Sequence, residues 1–275
     1  MSEYLYQYFV KHNPVVNEAA CAQLRSQQTM SGAPGSFRIS YIVPAHDEQA
    51  VLAGTARAIV QRLAAYPGSE LILVENGSRD QTPALVATLA EELSGPDVTV
   101  RAAHSPPGTG RAVREGMRLA TGDLLLLTGA DLPFRFTDLD RFLVLDPRPK
   151  LVIGSKAHPD SEVSSPVARR VMSLGFRLLR QVALGIDVGD SQGTILIEGP
   201  LARRILPSLR SDDYLITTEL IAVAANLGVR AVEVPVNYLE PRGDSRVRPL
   251  HDSLSMARGL LSLRRRLRRQ SGAAR

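Results

Sequence analysis

Short apolar runs that alternate with helix-like segments are the feature that most constrains the fold of this chain. Four runs, at 37–44, 70–76, 98–104 and 123–129, are rich in Ile, Leu and Val. The segment after the first run, at 47–64, carries apolar residues at helical spacing, and similar segments follow the next two. This alternation predicts an α/β fold with a mostly parallel, Rossmann-like sheet and helices on both faces.

The second half of the chain continues the pattern less regularly. Its predicted elements are the strand 150–156, an arginine-rich helix 166–184, the strand 193–198, the helix 214–226, the strand 230–236 and a basic helix 249–269. We therefore expect an N-terminal appendage with its linker at 1–36, one large domain at 37–246, and a basic amphipathic helix at 247–275.

Composition narrows the class of protein. The apolar fraction of 44% and a mean hydropathy of −0.04 are typical of a globular protein with a real core. The sequence has no apolar run long enough to span a membrane, and its first residues do not resemble a signal peptide. Since Cys21 is the one cysteine, no disulfide framework exists, and we expect a cytoplasmic protein.

The charge of the chain is concentrated at its C-terminal end. From Arg242 onward ten arginines face two aspartates, a net +8, so the rest of the chain sums to −3. A basic amphipathic helix containing RRRLRR predicts contact with an anionic membrane surface at the inner face of the membrane, although a solvated tail fits the same pattern. With 5% aromatic residues and no tryptophan, a nucleic-acid partner is disfavoured.

Carboxylates follow three of the predicted strands directly. The segments are VPAHDE at 43–48, VENGSRD at 74–80 and TGADLP at 128–133. The carboxyl ends of parallel strands share one edge of a sheet, so these side chains should converge on one ligand crevice. Asp47 and Asp80 are predicted to cap helices. Capping does not account for the other acidic residues of these segments, which are Glu48, Glu75 and Asp131.

Eight segments of the chain, in order, resemble the inverting nucleotide-sugar glycosyltransferases of family 2, which have the GT-A fold. They are VPAHDE, VENGSRD, GTGRAVREGM, GADL, GSKAH, DSQGT, TTELIAVAANLGVRAVEVPV and GDSR. None of them is specific alone, but their order is, and the pattern is most similar to the polyprenyl-phosphate (dolichyl-phosphate) mannosyl- and glucosyltransferases. The resemblance covers about three quarters of the chain.

This resemblance implies roles for particular residues. The donor nucleotide would bind at Pro44, Ala45, His46, Glu48, Val74, Glu75 and Ala130. The acceptor phosphate would bind at Lys156, Arg169, Arg242 and Arg246. Asp131 would act in catalysis beside the diphosphate, as the ligand of a Mg²⁺ or Mn²⁺ ion.

Three positions depart from the family pattern at the diphosphate. Gly129 stands where the family has the first aspartate of Asp-x-Asp, Pro133 where close relatives offer a further ligand, and Thr109 where lysine is usual. Either Asp131 holds the metal with water, or arginines such as Arg111 stabilise the leaving diphosphate without one.

The nature of the acceptor decides what chemistry the protein must supply. A polyprenyl phosphate is already ionised and needs only alignment, whereas a hydroxyl acceptor needs a general base, for which Asp190 is the candidate. Asp190 could equally cap its own loop. Arg169, Arg177 and Arg180 are spaced along one helix face that could meet lipid phosphates or water.

We therefore expect transfer of a hexose from a nucleotide diphosphate sugar to a polyprenyl phosphate with inversion. One alternative is the same chemistry on a soluble hydroxyl acceptor in secondary metabolism. The other is a protein that binds sugar nucleotides without turnover.

Overall fold

The computed structural model describes residues 37–163, 167–238 and 259–267, and it describes side chains outside 167–174. The predicted appendage at 1–36 lies outside these residues. The strands are β1 Ile39–Ala45, β2 Ser69–Glu75, β3 Val98–His104, β4 Leu124–Leu127, β5 Leu151–Ser155, β6 Glu162–Val163, β7 Thr194–Glu198, β8 Val232–Pro235 and β9 Asn237–Tyr238.

The helices lie between the strands, as the alternation predicts. They are α1 Leu52–Leu63, α2 Thr82–Leu93, α3 Thr109–Leu119, α4 Thr137–Leu143, α5 Val167–Leu184, α6 Gly199–Ile205 and α7 Leu215–Asn226, with a 3₁₀ turn at Leu206–Ser208 and a further helix at 259–267. In the described part of the chain, no helix combines the length and the apolarity needed to cross a bilayer.

Seven of the described strands form one mostly parallel sheet in the order β3-β2-β1-β4-β7-β5-β8. Only β7 runs against its neighbours, since it pairs antiparallel with both β4 and β5. The chain builds outward from β1 to β3 and then returns to place β4 on the other side of β1. The crevice beyond the carboxyl ends of β1 and β4 is therefore the point at which α/β sheets bind ligands.

The sheet separates two apolar layers, because strand residues alternate in direction. Ile42 and Val74 face the layer that contains α3, α6 and α7, whereas Tyr41 faces the layer of α1, α2 and α4. Strands covered on both faces read as continuous apolar runs. Burial on both faces explains why LLLL in β4 is buried throughout.

The fold also contains elements that the sequence analysis missed. The helices α4 and α6 are seven residues each. The strands β6 and β9 have two residues each and, among the described strands, pair with one another. Elements this short carry less than two full helical turns or strand repeats, so they leave no readable periodicity.

The C-terminal helix packs differently from the prediction. The sequence pattern predicts an apolar side made of Leu250, Leu254, Ala257 and Leu261. Instead, Leu260, Leu263 and Leu267 are buried against the body of the protein, while Leu261 is exposed. Arg266 donates to the buried carboxylate of Glu219 at 3.2 Å. The predicted apolar face was therefore wrong, because the buried stripe of 259–267 follows the 260, 263, 267 spacing. Residues 249–258 of the predicted helix lie outside the described residues.

Arg180 contradicts the prediction of an arginine face on α5. Its side chain is buried, and it donates to the hydroxyl of Ser191 at 2.9 Å and to the carbonyl of Val188. Burial lowers the pKa of its guanidinium, with the charges of Asp190 and Glu233 acting in the opposite direction. Arg180 supports the loop before β7 from beneath and does not face lipid or water.

Candidate active site

The loops that follow β1 and β2 are joined by hydrogen bonds that use their carboxylates. Asp47 accepts a bond from the backbone of Arg79 at 2.7 Å, and Asp80 accepts one from the backbone of Gln49 at 3.2 Å. Helix α1 begins only at Leu52, and no side chain caps it. The prediction that Asp47 caps a helix was therefore wrong. Asp80 does accept from the first residue of α2, Thr82, at 2.8 Å.

Further bonds run between the same two loops. The backbone of Asp47 donates to Ser78 Oγ at 3.1 Å, and that of Glu48 donates to Thr82 Oγ1 at 2.9 Å. Asp47 adopts a φ of 55°, a left-handed conformation that few residues other than glycine accept and that aspartate tolerates better than most. The two loops form one rigid platform at the carboxyl edge of the sheet.

Most of the predicted donor residues line this platform. Pro44 lies beside Val74 and Ala45 beside Glu75, in register across β1 and β2. His46 follows β1 and is about half exposed, with its Nδ1 at 3.1 Å from the carbonyl of Asn76. The structure thus brings together residues that are about 30 positions apart in sequence, as the resemblance implies.

Glu75 is the most restricted residue of the platform. Its side chain is buried, one oxygen accepts the backbone N–H of Ser78 at 2.5 Å, and the other bonds to Nδ1 of His104 at the end of β3. Burial raises the pKa of Glu75, but the bonds from Ser78 and His104 outweigh burial and leave the pKa below its ordinary value. Glu75 is therefore an ionised carboxylate at neutral pH, engaged inside the protein.

Asp131 has the opposite surroundings. It is exposed, and among the described residues nothing donates a hydrogen bond to its carboxylate or pairs with it. Its Oδ1 would lie 2.7 Å from a Cβ added at Gly129, so the carboxylate extends over the glycine. The neighbouring Ala130 is buried, and its carbonyl accepts a bond of 2.5 Å from Thr55.

The backbone that follows Asp131 is strained. Leu132, Arg135 and Phe136 have φ values of 46°, 45° and 72°. Bulky residues rarely adopt these angles, and strain of this kind concentrates at ligand sites. The tight turn holds the Asp131 segment at the end of β4, beside the crevice.

The residues at this edge fit a divalent ion that is shared with a diphosphate. Within the described residues there is no group of three acidic, histidine or cysteine side chains that could enclose a metal. Mg²⁺ needs less from the protein, since it is usually held by one or two carboxylates plus substrate phosphates and water. Asp131 is available to supply that one carboxylate.

A second cluster lies at the same edge, on the other side of the crevice. Lys156 directly follows β5, and its backbone N–H donates to Asp190 at 3.2 Å while its Nζ lies 3.5 Å from the same carboxylate. The ammonium also lies 5.8 Å from the ring centre of Phe134 and 5.5 Å from that of Tyr238. Both rings can stabilise the cation. The loop of Asp131 therefore also provides a wall for Lys156, through Phe134.

Asp190 is held in place from several directions. Its other oxygen accepts the backbone N–H of Gln192 at 2.9 Å, which is the loop-capping bond that the sequence left open. Glu233 of β8 accepts the backbone N–H groups of Gly189 at 2.7 Å and Asp190 at 3.1 Å. Sequence reasoning missed Glu233, whose only signal was a charge within a predicted strand.

The glycine-rich start of α3 packs against the loop before α7. A Cβ at Gly108 would lie 2.4 Å from the carbonyl of Asp212, and one at Gly110 would lie 2.2 Å from that of Ser211. Arg111 pairs with Asp212 at 2.8 Å, and hydrogen bonds from Arg111 and Arg114 hold the pKa of this carboxyl at about 2. Arg111, considered above for the diphosphate, is thus engaged with a carboxylate.

Three predicted phosphate-binding residues cannot be placed. Arg242 and Arg246 lie outside the described residues, and Arg169 lies in the part of α5 whose side chains are not described. Of the predicted phosphate-binding residues, Lys156 is therefore the one whose side chain the structure describes.

Comparison with known proteins gives the family. The family described as "Glycosyl transferase family 2" matches residues 40–196, more than half of the chain. A dolichyl-phosphate beta-glucosyltransferase of Drosophila melanogaster is 30% identical over 244 residues, which are 83% of this chain and 74% of that protein. One of Dictyostelium discoideum is 28% identical over 243 residues, 82% and 73% of the two chains.

Solved structures confirm the fold. Glucosyl-3-phosphoglycerate synthase from Mycobacterium tuberculosis, in complex with UDP, matches with a TM-score of 0.59 at 19% identity, over 92% of this chain and 84% of that one. The same enzyme solved with Mn²⁺, UDP-glucose and phosphoglyceric acid matches with a TM-score of 0.59 at 18% identity, over the same shares of the two chains. The fold is GT-A, and the chain belongs to glycosyltransferase family 2.

Proposed function

We propose that this enzyme transfers a hexose from a nucleoside diphosphate sugar to a polyprenyl phosphate, with inversion at the anomeric carbon. The relatives named dolichyl-phosphate beta-glucosyltransferases support the lipid phosphate as acceptor. Glucose is the first sugar to test, because both these relatives and the solved neighbour are named for glucosyl transfer.

The observation that carries the proposal is the pairing of Lys156 with Asp190. Both oxygens of Asp190 already accept hydrogen bonds, and one of them faces the ammonium of Lys156. A carboxylate so engaged is a poor general base, since a base must accept the proton of the acceptor. An ionised phosphate needs no base, and a positioned lysine provides the charge that it does need.

In the proposed reaction, the protein mainly aligns the two substrates. The platform after β1 and β2 holds the nucleoside, and Lys156 holds the acceptor phosphate on the other side of the crevice. A phosphate oxygen then forms a bond to the anomeric carbon from the face opposite the leaving diphosphate, whose bond to that carbon breaks. Fixing both partners in line removes much of the entropic barrier.

Asp131 is the residue that would hold a Mg²⁺ or Mn²⁺ ion. The neighbour solved with Mn²⁺ and UDP-glucose, and the same enzyme solved with Mg²⁺ and UDP, support the use of a divalent metal. When bound, such an ion neutralises charge on the leaving diphosphate. With glycine at 129, the protein supplies a single carboxylate from this motif.

We further propose contact with the cytoplasmic face of a membrane, where a polyprenyl phosphate is found. Leu178, Leu179 and Val182 of α5 are exposed, and Val182 forms part of a cleft of about 450 Å³ together with Arg264 of the C-terminal helix. Exposed apolar side chains beside arginines suit an anionic lipid surface. In vesicle sedimentation, V182E should bind less than V144E, a matched change at another exposed valine.

The second candidate, a soluble acceptor, is favoured by the neighbour's complex with phosphoglyceric acid. A transfer assay separates the lipid acceptor from a soluble acceptor. The purified protein is incubated with labelled UDP-glucose, Mn²⁺ and one of three acceptors, which are polyprenyl phosphate in vesicles, 3-phosphoglyceric acid and a soluble alcohol. We expect product only on the lipid phosphate, identified by mass spectrometry, with its anomeric configuration read by NMR.

Two lysines provide a matched control for this assay. K156A should lower kcat/KM for the lipid phosphate at least about tenfold, because it removes a charged partner of the phosphate. Lys150 precedes the same strand at the opposite edge of the sheet, and K150A should leave the rate unchanged. D190N should retain activity within about tenfold, whereas a true general base would contribute about 10²–10⁴.

Other outcomes would change the assignment. Transfer to the alcohol that D190N abolishes would establish the hydroxyl acceptor and reject the lipid phosphate. UDP-glucose binding without product on any acceptor would instead indicate a sugar-nucleotide-binding protein without turnover.

A further inference from the structure

Glu75 stands at the end of β2, where the resemblance implies contact with the base or ribose, yet its carboxylate is buried. Only 5% of the residue is exposed, and its two oxygens already bond to Ser78 and His104. The residue that these bonds leave accessible is His104, whose side chain is 71% exposed.

The bond between Glu75 and His104 fixes the tautomer of the imidazole. An ionised carboxylate only accepts hydrogen bonds, so Nδ1 of His104 must carry the proton that joins them. In the neutral ring the other nitrogen, Nε2, then has a lone pair and no hydrogen. Whenever the ring is neutral, His104 therefore offers a hydrogen-bond acceptor at Nε2, and the buried carboxylate of Glu75 determines this tautomer.

His104 lies where the base of a bound nucleotide would be expected. It ends β3, which is three strand spacings from β4, about 14 Å from the Asp131 side of the sheet. It also forms part of the wall of an open cleft of about 350 Å³, together with Ser105, Pro106 and residues of α3 that include Arg111 and Arg118. A diphosphate at Asp131 would extend its nucleoside along the platform toward this cleft.

We infer that His104 reads the hydrogen-bonding edge of the donor's nucleobase, with Glu75 as its positioning residue. The inference rests on the proposed function and deepens it. An accepting Nε2 selects bases that carry a ring N–H on this edge, which are uracil, thymine and guanine. It rejects cytosine and adenine, which present an acceptor at the same place.

The test is binding of UDP, GDP, CDP and ADP to the whole chain, measured by calorimetry with Mn²⁺ at about pH 8, where an ordinary imidazole is neutral. Wild type should prefer UDP or GDP. In E75Q the amide can accept from Ser78 and donate to Nδ1 of His104, which moves the ring proton to Nε2 and makes this nitrogen a donor. The ratio of the affinity for CDP or ADP to that for UDP or GDP should then rise by about tenfold. The bond from the ring N–H of uracil or guanine to Nε2 is lost, and the clash of two acceptors with cytosine or adenine is removed.

Two further variants separate base reading from general damage. H104A should bind the four nucleotides with nearly equal affinity. T99A, at an exposed position on the same strand, should keep the wild-type preference. The ¹⁵N shifts of the His104 ring give an independent readout, since they report the tautomer in wild type and in E75Q.

The outcomes distinguish this inference from the proposed function. If wild type binds UDP or GDP and both E75Q and H104A keep the same preference, the role of His104 is rejected while the donor site stands. A wild-type preference for CDP or ADP also rejects it. If wild type binds no nucleotide, the donor site itself fails, and the inference fails with it.

Discussion

The loops after β1 and β2 and the loop after β4 lie at the same edge of the sheet, yet they use their carboxylates in opposite ways. Asp47, Glu75 and Asp80 accept hydrogen bonds from neighbouring loops or strands. Asp131 accepts none from the described residues and is exposed. All of these residues follow an apolar strand in the sequence, so the sequence pattern does not distinguish them.

This difference separates a rigid surface from a free ligand. The first two loops hold each other in one conformation, so the binding of a nucleoside there costs little conformational entropy in the loops. Asp131 retains its full capacity to accept bonds or to coordinate a metal. The predictions that follow test this contrast, from the largest expected effect to the smallest.

Replacement of Asp131 should have the largest effect on activity. We expect D131N to lower kcat/KM by about 10²–10³, because it removes the carboxylate that would hold the divalent ion beside the leaving diphosphate. Its melting temperature should not change, since the carboxylate has no partner among the residues that the structure describes. Steady-state transfer assays and calorimetric melting check both parts. D97N, at an exposed site on the opposite edge, should change neither, and a large loss of stability in D131N would show that Asp131 is structural.

A second carboxylate at position 129 should strengthen metal binding at the Asp131 loop. We expect G129D to tighten Mn²⁺ binding by about tenfold, because affinity rises with the number of charged ligands. Gly129 is exposed, and the atom nearest to a new Cβ is the mobile end of Asp131, so the side chain can be accommodated. Mn²⁺ titration followed by electron paramagnetic resonance measures the change. Unchanged affinity would mean that this loop does not bind the metal.

Loss of a hydrogen bond between the two loops of the platform should lower the free energy of unfolding by about 1 kcal/mol. D47A removes the acceptor for the backbone of Arg79 and places alanine at a φ of 55°, so the free energy of unfolding should fall by about this amount. Asparagine keeps an acceptor and tolerates this φ, and D47N should lose much less. Urea denaturation compares the two, and equal losses would remove the proposed role of the bond.

The smallest effect should be a dependence on pH. Removal of water raises the pKa of Asp80, but bonds from Thr82 and Gln49 outweigh it and lower the pKa below its ordinary value. A lowered pKa stabilises the fold above the unfolded-state value near 4, and this stabilisation is lost as pH falls through the lower folded-state value. The difference in stability between wild type and D80N should therefore shrink below about pH 4. A constant difference from pH 7 to pH 3 would contradict this account.

Prediction from the sequence succeeded best where burial covers both sides of an element. The runs that became β1, β2 and β4 are continuous because helices cover both faces of the sheet at these strands. The run that became β3 alternates between buried and exposed residues. Prediction failed for α4 and α6, which are too short to show a period. It also misjudged Arg180, since the spacing of arginines on a helix does not reveal which of them a loop will cover.

For the candidate site, the sequence predicted which segments meet at this edge of the sheet, but not which hydrogen bonds each side chain makes. The family resemblance implied that Glu75 contacts the nucleoside. It did not reveal the hydrogen bond between the buried Glu75 and His104. The sequence offered Asp190 as a base or as a loop cap, and the observed contact with Lys156 joins residues that are 34 positions apart. Contacts of this kind depend on where the strands end relative to one another.

The sequence alone determined the α/β alternation, the family and the acidic edge of the sheet, because local periodicity and motif order are written along the chain. Within the described part of the chain, the tertiary structure decided which carboxylates of this edge accept hydrogen bonds and that Asp131 accepts none. That outcome depends on the packing of loops from distant segments, since a hydrogen bond forms only when folding brings a donor within reach of an acceptor.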